Sequence, residues 1–183
     1  MTDAYALLVP TYRNMLKALS AWLDKADQES PTETAQAHLS ARLIDDMLPL
    51  SSQIAFACLQ AQEPVHRLRN EALPSHLEVL AETGRNAGDR PGTLQEAQKR
   101  IGNAVAFLDT LSPDALALRD DFTVTLDLPN GMTFDLSGPD YVRDWALPQF
   151  YFHLNTAYAI LRKEGVELGK ADYVPHMFAY LRS

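Results

Sequence analysis

The stretch FYFHLNTAYAILRKEGVELGK, Phe150 to Lys170, decides how this chain folds. Its apolar residues recur at helical spacing, and Gly165 follows basic residues where such a helix would end. His153 shares a helical face with Phe150 and Leu154, so it is predicted to point into the interior of a helical bundle. The stretch therefore predicts a long, buried helix that carries an imidazole, and the function of that imidazole is the question it raises.

Two further helical segments are predicted near the start of the chain. The first runs from about residue 3 to 26, and Pro10 marks either a late start or a kink. Residues 30–33, Ser-Pro-Thr-Glu, have the form of a capping box with proline at the first helical position. The segment that they open is predicted to continue as a helix until Pro49 interrupts it.

The middle of the chain predicts two more helices and a connection. Residues 49–62 are nearly uncharged, which indicates a helix buried on more than one side, and Pro64 ends or bends it. Residues 70–92 are rich in Gly, Pro, Asn and Asp and predict a connection. A second capping box at residues 93–96 opens a helix whose apolar residues recur as far as Leu111.

A β-hairpin is predicted between the third and the last long helices. The apolar period changes from 3.6 to 2 over residues 121–128 and again over 132–136, and Asn130–Gly131 suits a type I′ turn. Two strands are too few to stand alone, so the hairpin must lie against the helices. The predicted architecture is mainly α, a four-helix bundle with a small hairpin, in one domain over residues 1–183.

Charge and cysteine content limit the partners and the compartment. The 183 residues carry a formal net charge of -8, so nucleic acid and anionic membranes are not expected partners. The longest uncharged run, residues 145–161, falls short of the ~20 apolar residues that a membrane span needs. Cys58 is the single cysteine, which excludes an internal disulfide and predicts a cytoplasmic location.

His153 is the leading candidate for chemistry, either as a metal ligand or general base in a pocket, or as a buried neutral imidazole with one partner. A metal-binding helix would offer a second ligand three or four residues later, but Thr156 and Ala157 stand there. Asp46, one of two adjacent carboxylates, either reaches His153 or lies at a charged helix end. No histidine metal motif occurs, and Cys58 is predicted to be a core residue.

Two stretches resemble the signatures of an uncharacterised family, the domain of unknown function numbered nineteen-ninety-three. They are LPQFYFHLNTAYAILRKEGVELGKADY, matched over residues 148–172, and RLIDDMLPLSSQI, matched over residues 46–53. Gln149 departs from the family pattern, which has Asn at that position. The resemblance covers most of the chain and implies a DinB-like helical bundle.

The resemblance also implies what a metal site would need. Many DinB-like proteins bind a divalent metal through three histidines, and some are thiol-dependent transferases. Two of those histidines lie four residues apart on the last helix, and the third lies on the second helix. Here His153 has Ala157 in place of its companion, and Asp46 or Gln53 is the nearest candidate on the second helix. The resemblance thus implies a reduced ligand set, and no cofactor is expected unless a divalent metal binds.

Three functions are consistent with these observations. In the first, the bundle binds a small molecule in an inter-helix pocket lined by His153, Tyr158, Asp46 and Gln53. In the second, it is a divalent-metal-dependent hydrolase or thiol transferase in which His153, Asp46 and a water hold the metal. In the third, exposed apolar helix faces form a homodimer. The missing second histidine places small-molecule binding first.

Overall fold

Four long helices surround the core of the protein. The computed structural model describes residues 4–29, 31–116, 122–128 and 130–182, apart from the side chains of residues 32 and 33. Its helices are α1 (Ala4–Glu29), α2 (Thr32–Ala37), α3 (Leu50–Leu68), α4 (Ser75–Asn86), α5 (Leu94–Asp109), α6 (Gly138–Asp140), α7 (Leu147–Lys163) and α8 (Lys170–Tyr173). Short 3-10 turns lie at His38–Ser40, Pro113–Leu116 and Pro175–Tyr180.

The long helices α1, α3, α5 and α7 form the bundle. Helix α1 packs against α5 and α7, and α3 packs against the same two helices from the other side. Large side chains that are almost completely buried come from all four helices and include Leu16, Trp22, Ile54, Ile101 and Phe150. Burial of these apolar surfaces stabilises the arrangement. The predicted mainly α, four-helix architecture is confirmed.

Helix α1 continues through its proline. It begins at Ala4 and continues past Pro10 to Glu29, so the predicted late start is wrong. Leu8, Val9 and Tyr12 are buried on both sides of the proline. Because tertiary packing contributes more to helix stability than propensity does, these contacts keep the segment helical.

The segment before α3 is a loop rather than a helix. Helix α2 and its 3-10 turn end at Ser40, and residues 41–49 are irregular, so the predicted continuation to Pro49 is wrong. Pro49 disfavours the helical conformation for the residue before it, Leu48. The N–H of Leu50 also donates to the carbonyl of Ala41 at 2.9 Å, which folds the loop back onto the start of α3. The predicted capping box falls on Ser30, outside the described residues.

A helix occupies the region that was expected to be a connection. Within residues 70–92 the structure has α4, which packs on the outer side of α3. Leu77, Ala81 and Gly84 recur at helical spacing and are buried against α3. A Cβ at Gly84 would lie 2.7 Å from Cζ of Phe56, so glycine is what permits this close approach.

The predicted capping box at the start of α5 is confirmed. The Thr93 hydroxyl oxygen accepts from the N–H of Glu96 at 3.1 Å, and the Glu96 carboxylate accepts from the N–H of Thr93 at 2.8 Å. Two backbone donors that the helix leaves unpaired are satisfied in this way. Ile101 and Leu108 then enter the core from the same helix face, as their spacing predicts.

The predicted hairpin lies between α5 and α7. Strand β1 (Thr123–Asp127) pairs antiparallel with β2 (Thr133–Ser137). Val124 and Leu126 are buried against the helices, which confirms the alternation in the first strand. Phe134 in the second strand is exposed, so the hairpin packs mainly through β1.

The hairpin turn differs from the prediction. The N–H of Leu128 donates to the Met132 carbonyl at 2.8 Å, and the N–H of Gly131 donates to the Leu128 carbonyl at 2.9 Å. Leu128 and Met132 therefore face each other across the turn, and Pro129 lies outside the described residues. Gly131 has a φ of 84°, a left-handed conformation that favours glycine. A two-residue type I′ turn at Asn130–Gly131 is not what forms.

A π-helical segment, Tyr141–Ala146, directly precedes α7. The N–H of Leu147 donates to the carbonyl of Val142, five residues earlier, instead of four. Pro148 follows directly. Because proline cannot donate and its ring crowds the carbonyl four residues before it, the wider turn accommodates the proline without breaking the helix. The predicted bend at this proline is thus a widened helical turn.

Gly165 ends α7 as predicted. Its φ is 91°, its N–H donates to the Arg162 carbonyl at 3.1 Å, and the next N–H, of Val166, donates to the Leu161 carbonyl at 3.0 Å. This is a Schellman motif, which satisfies the last carbonyls of the helix. The predicted short helix after it is α8. Among the helices in the described ranges, none is long and apolar enough to cross a membrane.

Candidate ligand site at His153

His153 lies at the seam between α7 and α3. Its Nδ1 is 2.9 Å from the Oε1 of Gln53, and the Nε2 of Gln53 donates to the Leu48 carbonyl at 3.0 Å. Because the Gln53 amino group is used as a donor, its oxygen must accept, and the imidazole must carry its proton on Nδ1. The two linked hydrogen bonds, from Gln53 to Leu48 and from His153 to Gln53, therefore fix both the tautomer and the ring orientation of His153.

The other ring nitrogen of His153 is available. Nε2 keeps contact with solvent and has no hydrogen-bond partner among the residues that the structure describes. Burial lowers the pKa of His153 to about 4, because the charged imidazolium loses hydration in the seam. The ring is therefore neutral at pH 7, and Nε2 presents a lone pair that can accept a hydrogen bond.

Aromatic rings flank this imidazole. The Phe56 ring from α3 lies with its centroid 5.0 Å from that of His153, tilted by 31°. The Phe152 ring, from α7 itself, lies at 5.3 Å and nearly perpendicular, and it is 55% exposed. Leu48 is also exposed beside this seam. The acceptor thus lies among apolar surfaces that open towards solvent.

The interior of the bundle at this level is filled by other residues of α7. Phe150, Leu154 and Ala157 are completely buried, whereas His153 is only partly buried. The predicted inward orientation of His153 is therefore corrected to an orientation towards α3. The physical reason is the helical spacing, since His153 is rotated from the centre of the stripe that these three residues form.

The structure brings one of the predicted site residues to His153. Gln53 is its hydrogen-bond partner. Tyr158 lies five residues later, about 140° around the helix, and its hydroxyl donates to the Leu168 carbonyl at 3.4 Å. Asp46 is exposed in the turn before α3. Among the described hydrogen bonds and ring contacts, none joins Tyr158 or Asp46 to His153.

The residues present do not fit the metal site that the resemblance implies. Across the described part of the chain, no three His, Cys, Asp or Glu side chains lie close enough to hold a metal ion. Ala157 has no donor atom, and the amide of Gln53 is engaged at both ends. A catalytic zinc site uses three protein ligands, whereas here Nε2 of His153 would be a single ligand atom.

Other features of the site differ in how well the sequence indicates them. Phe56 lies three residues after Gln53, a spacing that places both on one face of α3, so this wall could have been found. The acceptor role of Gln53 depends on the carbonyl of an irregular loop and has no local signal in the sequence.

Cys58, predicted to be a core residue, is completely buried, and burial raises the pKa of its thiol to about 12.

Comparison with known proteins agrees with the resemblance in sequence. Residues 4–174 match the model of a family described as "Domain of unknown function (DUF1993)". Among solved structures, the chain is similar to the crystal structure of a DinB family member protein from Shewanella denitrificans. The two are 32% identical with a TM-score of 0.73, and the match covers 93% of this chain and 90% of that chain. No curated protein matches the chain.

Proposed function

Because the chain belongs to the DUF1993 family, whose function is unknown, and has a DinB-like fold, we propose a function from its site: it binds a small molecule beside His153. A fold hosts many functions, so the family and the fold do not select one. The observation that carries the proposal is the fixed Nδ1–H tautomer of His153, which leaves Nε2 as an oriented acceptor.

The surroundings of the acceptor indicate the kind of molecule. A ligand with an O–H or N–H group would donate to Nε2, and its apolar part would lie against Phe56 and Phe152. Small-molecule sites combine apolar walls with a few oriented polar groups in this way. The metal-dependent alternative is less well supported, because the described part of the chain brings no three metal-ligating side chains together.

An NMR experiment on isotope-labelled histidine rings tests the proposal. Phenol and aniline, which carry donors, are titrated beside toluene, which has none. We expect the donors to shift the Nε2 resonance of His153 and toluene to leave it in place. Gln53→Leu removes the partner that fixes the tautomer, so it should weaken the response to phenol. If neither donor moves the His153 resonance at millimolar concentration, the proposal fails.

Self-association is a separate proposal that another surface supports. The C-terminal 3-10 turn and the residues after it expose Met177, Phe178 and Leu181. An exposed apolar patch of this kind is typical of an interaction surface. Sedimentation velocity over a range of concentrations tests for a homodimer, and a monomer at every concentration would exclude it. A cytoplasmic location also remains a proposal, supported by the single, buried cysteine.

A further inference from the structure

The hairpin has one covered edge and one open edge. The Nη1 of Arg67 on α3 donates to the Thr125 carbonyl at 3.3 Å, so the edge of β1 lies against the bundle. On β2, Thr133, Phe134 and Asp135 are all exposed. Among the residues that the structure describes, β1 is the only strand that pairs with β2. An open strand edge presents unpaired N–H and C=O groups, which form a template for another strand.

The register shows which backbone groups of β2 are unpaired. Beside the turn, the N–H of Leu128 donates to the Met132 carbonyl. Because hydrogen-bonded and non-hydrogen-bonded pairs alternate along an antiparallel ladder, Thr133 and Asp135 occupy non-hydrogen-bonded pairs. Their N–H and C=O groups therefore point away from β1. The carbonyl of Thr125, opposite Asp135, points away from β2 in the same way, since it accepts from α3.

The two faces of β2 differ in chemistry. Asp135 lies on the outer face, where its Oδ1 accepts from the Thr125 hydroxyl at 2.7 Å. Phe134 lies on the inner face, on the same side of the sheet as its buried partner Leu126. The Phe134 ring lies 6.4 Å from that of Trp145 between centroids, and the residue is still 42% exposed. A strand added to β2 would place alternate side chains beside Asp135 and beside Phe134.

The outer face of the hairpin is acidic. Asp127 also lies there, since its Oδ1 accepts from the Thr133 hydroxyl at 2.7 Å. In the described part of the chain, no cation forms an ion pair with Asp127 or Asp135. Arg143, the cation nearest to Asp135 along the chain, already contacts two other aspartates, at 2.5 and 2.7 Å. A basic side chain on the added strand would therefore complement Asp135.

The same charge disfavours a second copy of the chain as the added strand. Asp135 is the single charged residue of β2, so pairing two copies of β2 would bring carboxylates together. The net charge of -8 adds to this repulsion. The geometry and the charge together indicate a basic segment of a different protein.

We propose that the β2 edge binds an extended peptide segment of another protein, in which basic side chains alternate with apolar ones. Its backbone bonds to the N–H and C=O groups of Thr133 and Asp135, its basic side chains lie on the outer face, and its apolar side chains pack beside Phe134. In this mode of binding, main-chain hydrogen bonds give affinity and alternate side chains give specificity. The proposal does not depend on ligand binding at His153, whose described contacts involve no residue of the hairpin.

Amide NMR of the isotope-labelled full chain with capped hexapeptides tests the proposal. One peptide alternates lysine and valine, a second alternates glutamate and valine, and a third is the lysine peptide with every backbone nitrogen methylated. We expect the lysine peptide to shift the Thr133 and Asp135 amides and to slow the exchange of their N–H groups with solvent. It should bind about tenfold more tightly than either of the others, because they lose the charge complementarity or the hydrogen bonds.

Two variants and one control locate the binding. Thr133→Pro removes an outward N–H, and proline is tolerated on an edge strand whose N–H faces solvent, so the hairpin should stay folded and lose the peptide. Asp135→Asn should weaken binding of the lysine peptide about threefold. Asp89→Asn removes the same charge from an exposed position after α4 and should have no effect. Slow exchange of the Leu126 N–H, which faces β2, shows that the hairpin is intact in each variant.

Three results would overturn the proposal. In the first, the lysine peptide leaves the Thr133 and Asp135 amides unchanged at millimolar concentration. In the second, the glutamate peptide or the methylated peptide binds as tightly as the lysine peptide, which excludes the proposed charge preference or strand addition. In the third, these amides shift with protein concentration in the absence of peptide, which identifies a second copy as the occupant of the edge.

Discussion

Replacing His153 by glutamine should remove much of the acid sensitivity of this protein. The imidazole is held neutral in the folded state by its position in the seam between α3 and α7. Unfolding exposes it to water, where it takes up a proton readily. Glutamine is polar and does not titrate, so His153→Gln leaves a hydrogen-bonding group beside Gln53 and removes the proton uptake that is coupled to unfolding.

The size and sign of the effect follow from two pKa values. The pKa of His153 is about 4 in the folded protein, against 6.5 for an unperturbed histidine. Between these values the unfolded state binds more protons, so the free energy of unfolding falls as the pH falls. From about pH 7.5 to about pH 4.5, this one group should remove roughly 2.5 kcal/mol from the stability of the wild type. The loss is complete only below the folded-state pKa.

Urea unfolding at the two pH values measures this directly. The fall in the free energy of unfolding should be about 2 to 3 kcal/mol larger for the wild type than for His153→Gln. His76→Gln is the matched control, because His76 is exposed on α4, and it should keep the wild-type fall. Equal falls in the wild type and in His153→Gln would refute the argument that burial keeps this imidazole neutral.

Three further experiments test the packing, the capping and the core, the first two by urea unfolding and the third by thiol labelling. Gly84→Ala should destabilise the protein by about 1 kcal/mol because its Cβ meets Phe56, whereas Gly102→Ala, with open space around it, should stabilise by about 0.5 to 1 kcal/mol. Equal changes in the free energy of unfolding for the two variants would show that Gly84 and Phe56 are not in tight contact. Thr93→Ala should cost about 1 kcal/mol through the lost cap, and an unchanged urea midpoint would contradict this. Cys58 should react with Ellman's reagent only in unfolded protein, because burial raises its pKa to about 12; rapid labelling of native protein would contradict its burial.

The fold was predictable where local signals and packing agree. The capping box at Thr93 and the left-handed Gly165 are confirmed because each depends only on groups within a few residues along the chain. Helix α4 was missed because glycine usually marks a break, whereas Gly84 is required by the Phe56 ring across the interface. The loop at residues 41–49 was missed for the opposite reason, since its apolar spacing resembles a helix while its backbone bonds to the start of α3.

The candidate site was less predictable than the fold. The periodicity of α7 identifies His153 as unusual but does not give its rotation about the helix axis to within one residue. That rotation decides which residue of the facing helix His153 meets, and in the structure it meets Gln53. A groove lined by Leu59, Leu77 and Leu126 likewise has no local sequence signal, because its walls come from elements that are distant along the chain.

The π-helical segment before Pro148 amounts to a single-residue insertion in an otherwise continuous helix. Deleting one residue between Tyr141 and Ala146 would convert the wide turn to an ordinary one. The hairpin, which joins α7 through this segment, would then be turned by about 100° around the helix axis relative to α7 and the bundle packed on it. Loss of one residue here would thus detach β1 from the helices more effectively than most substitutions. In sequences related to this one, the length of this segment should therefore be kept more strictly than its residue types.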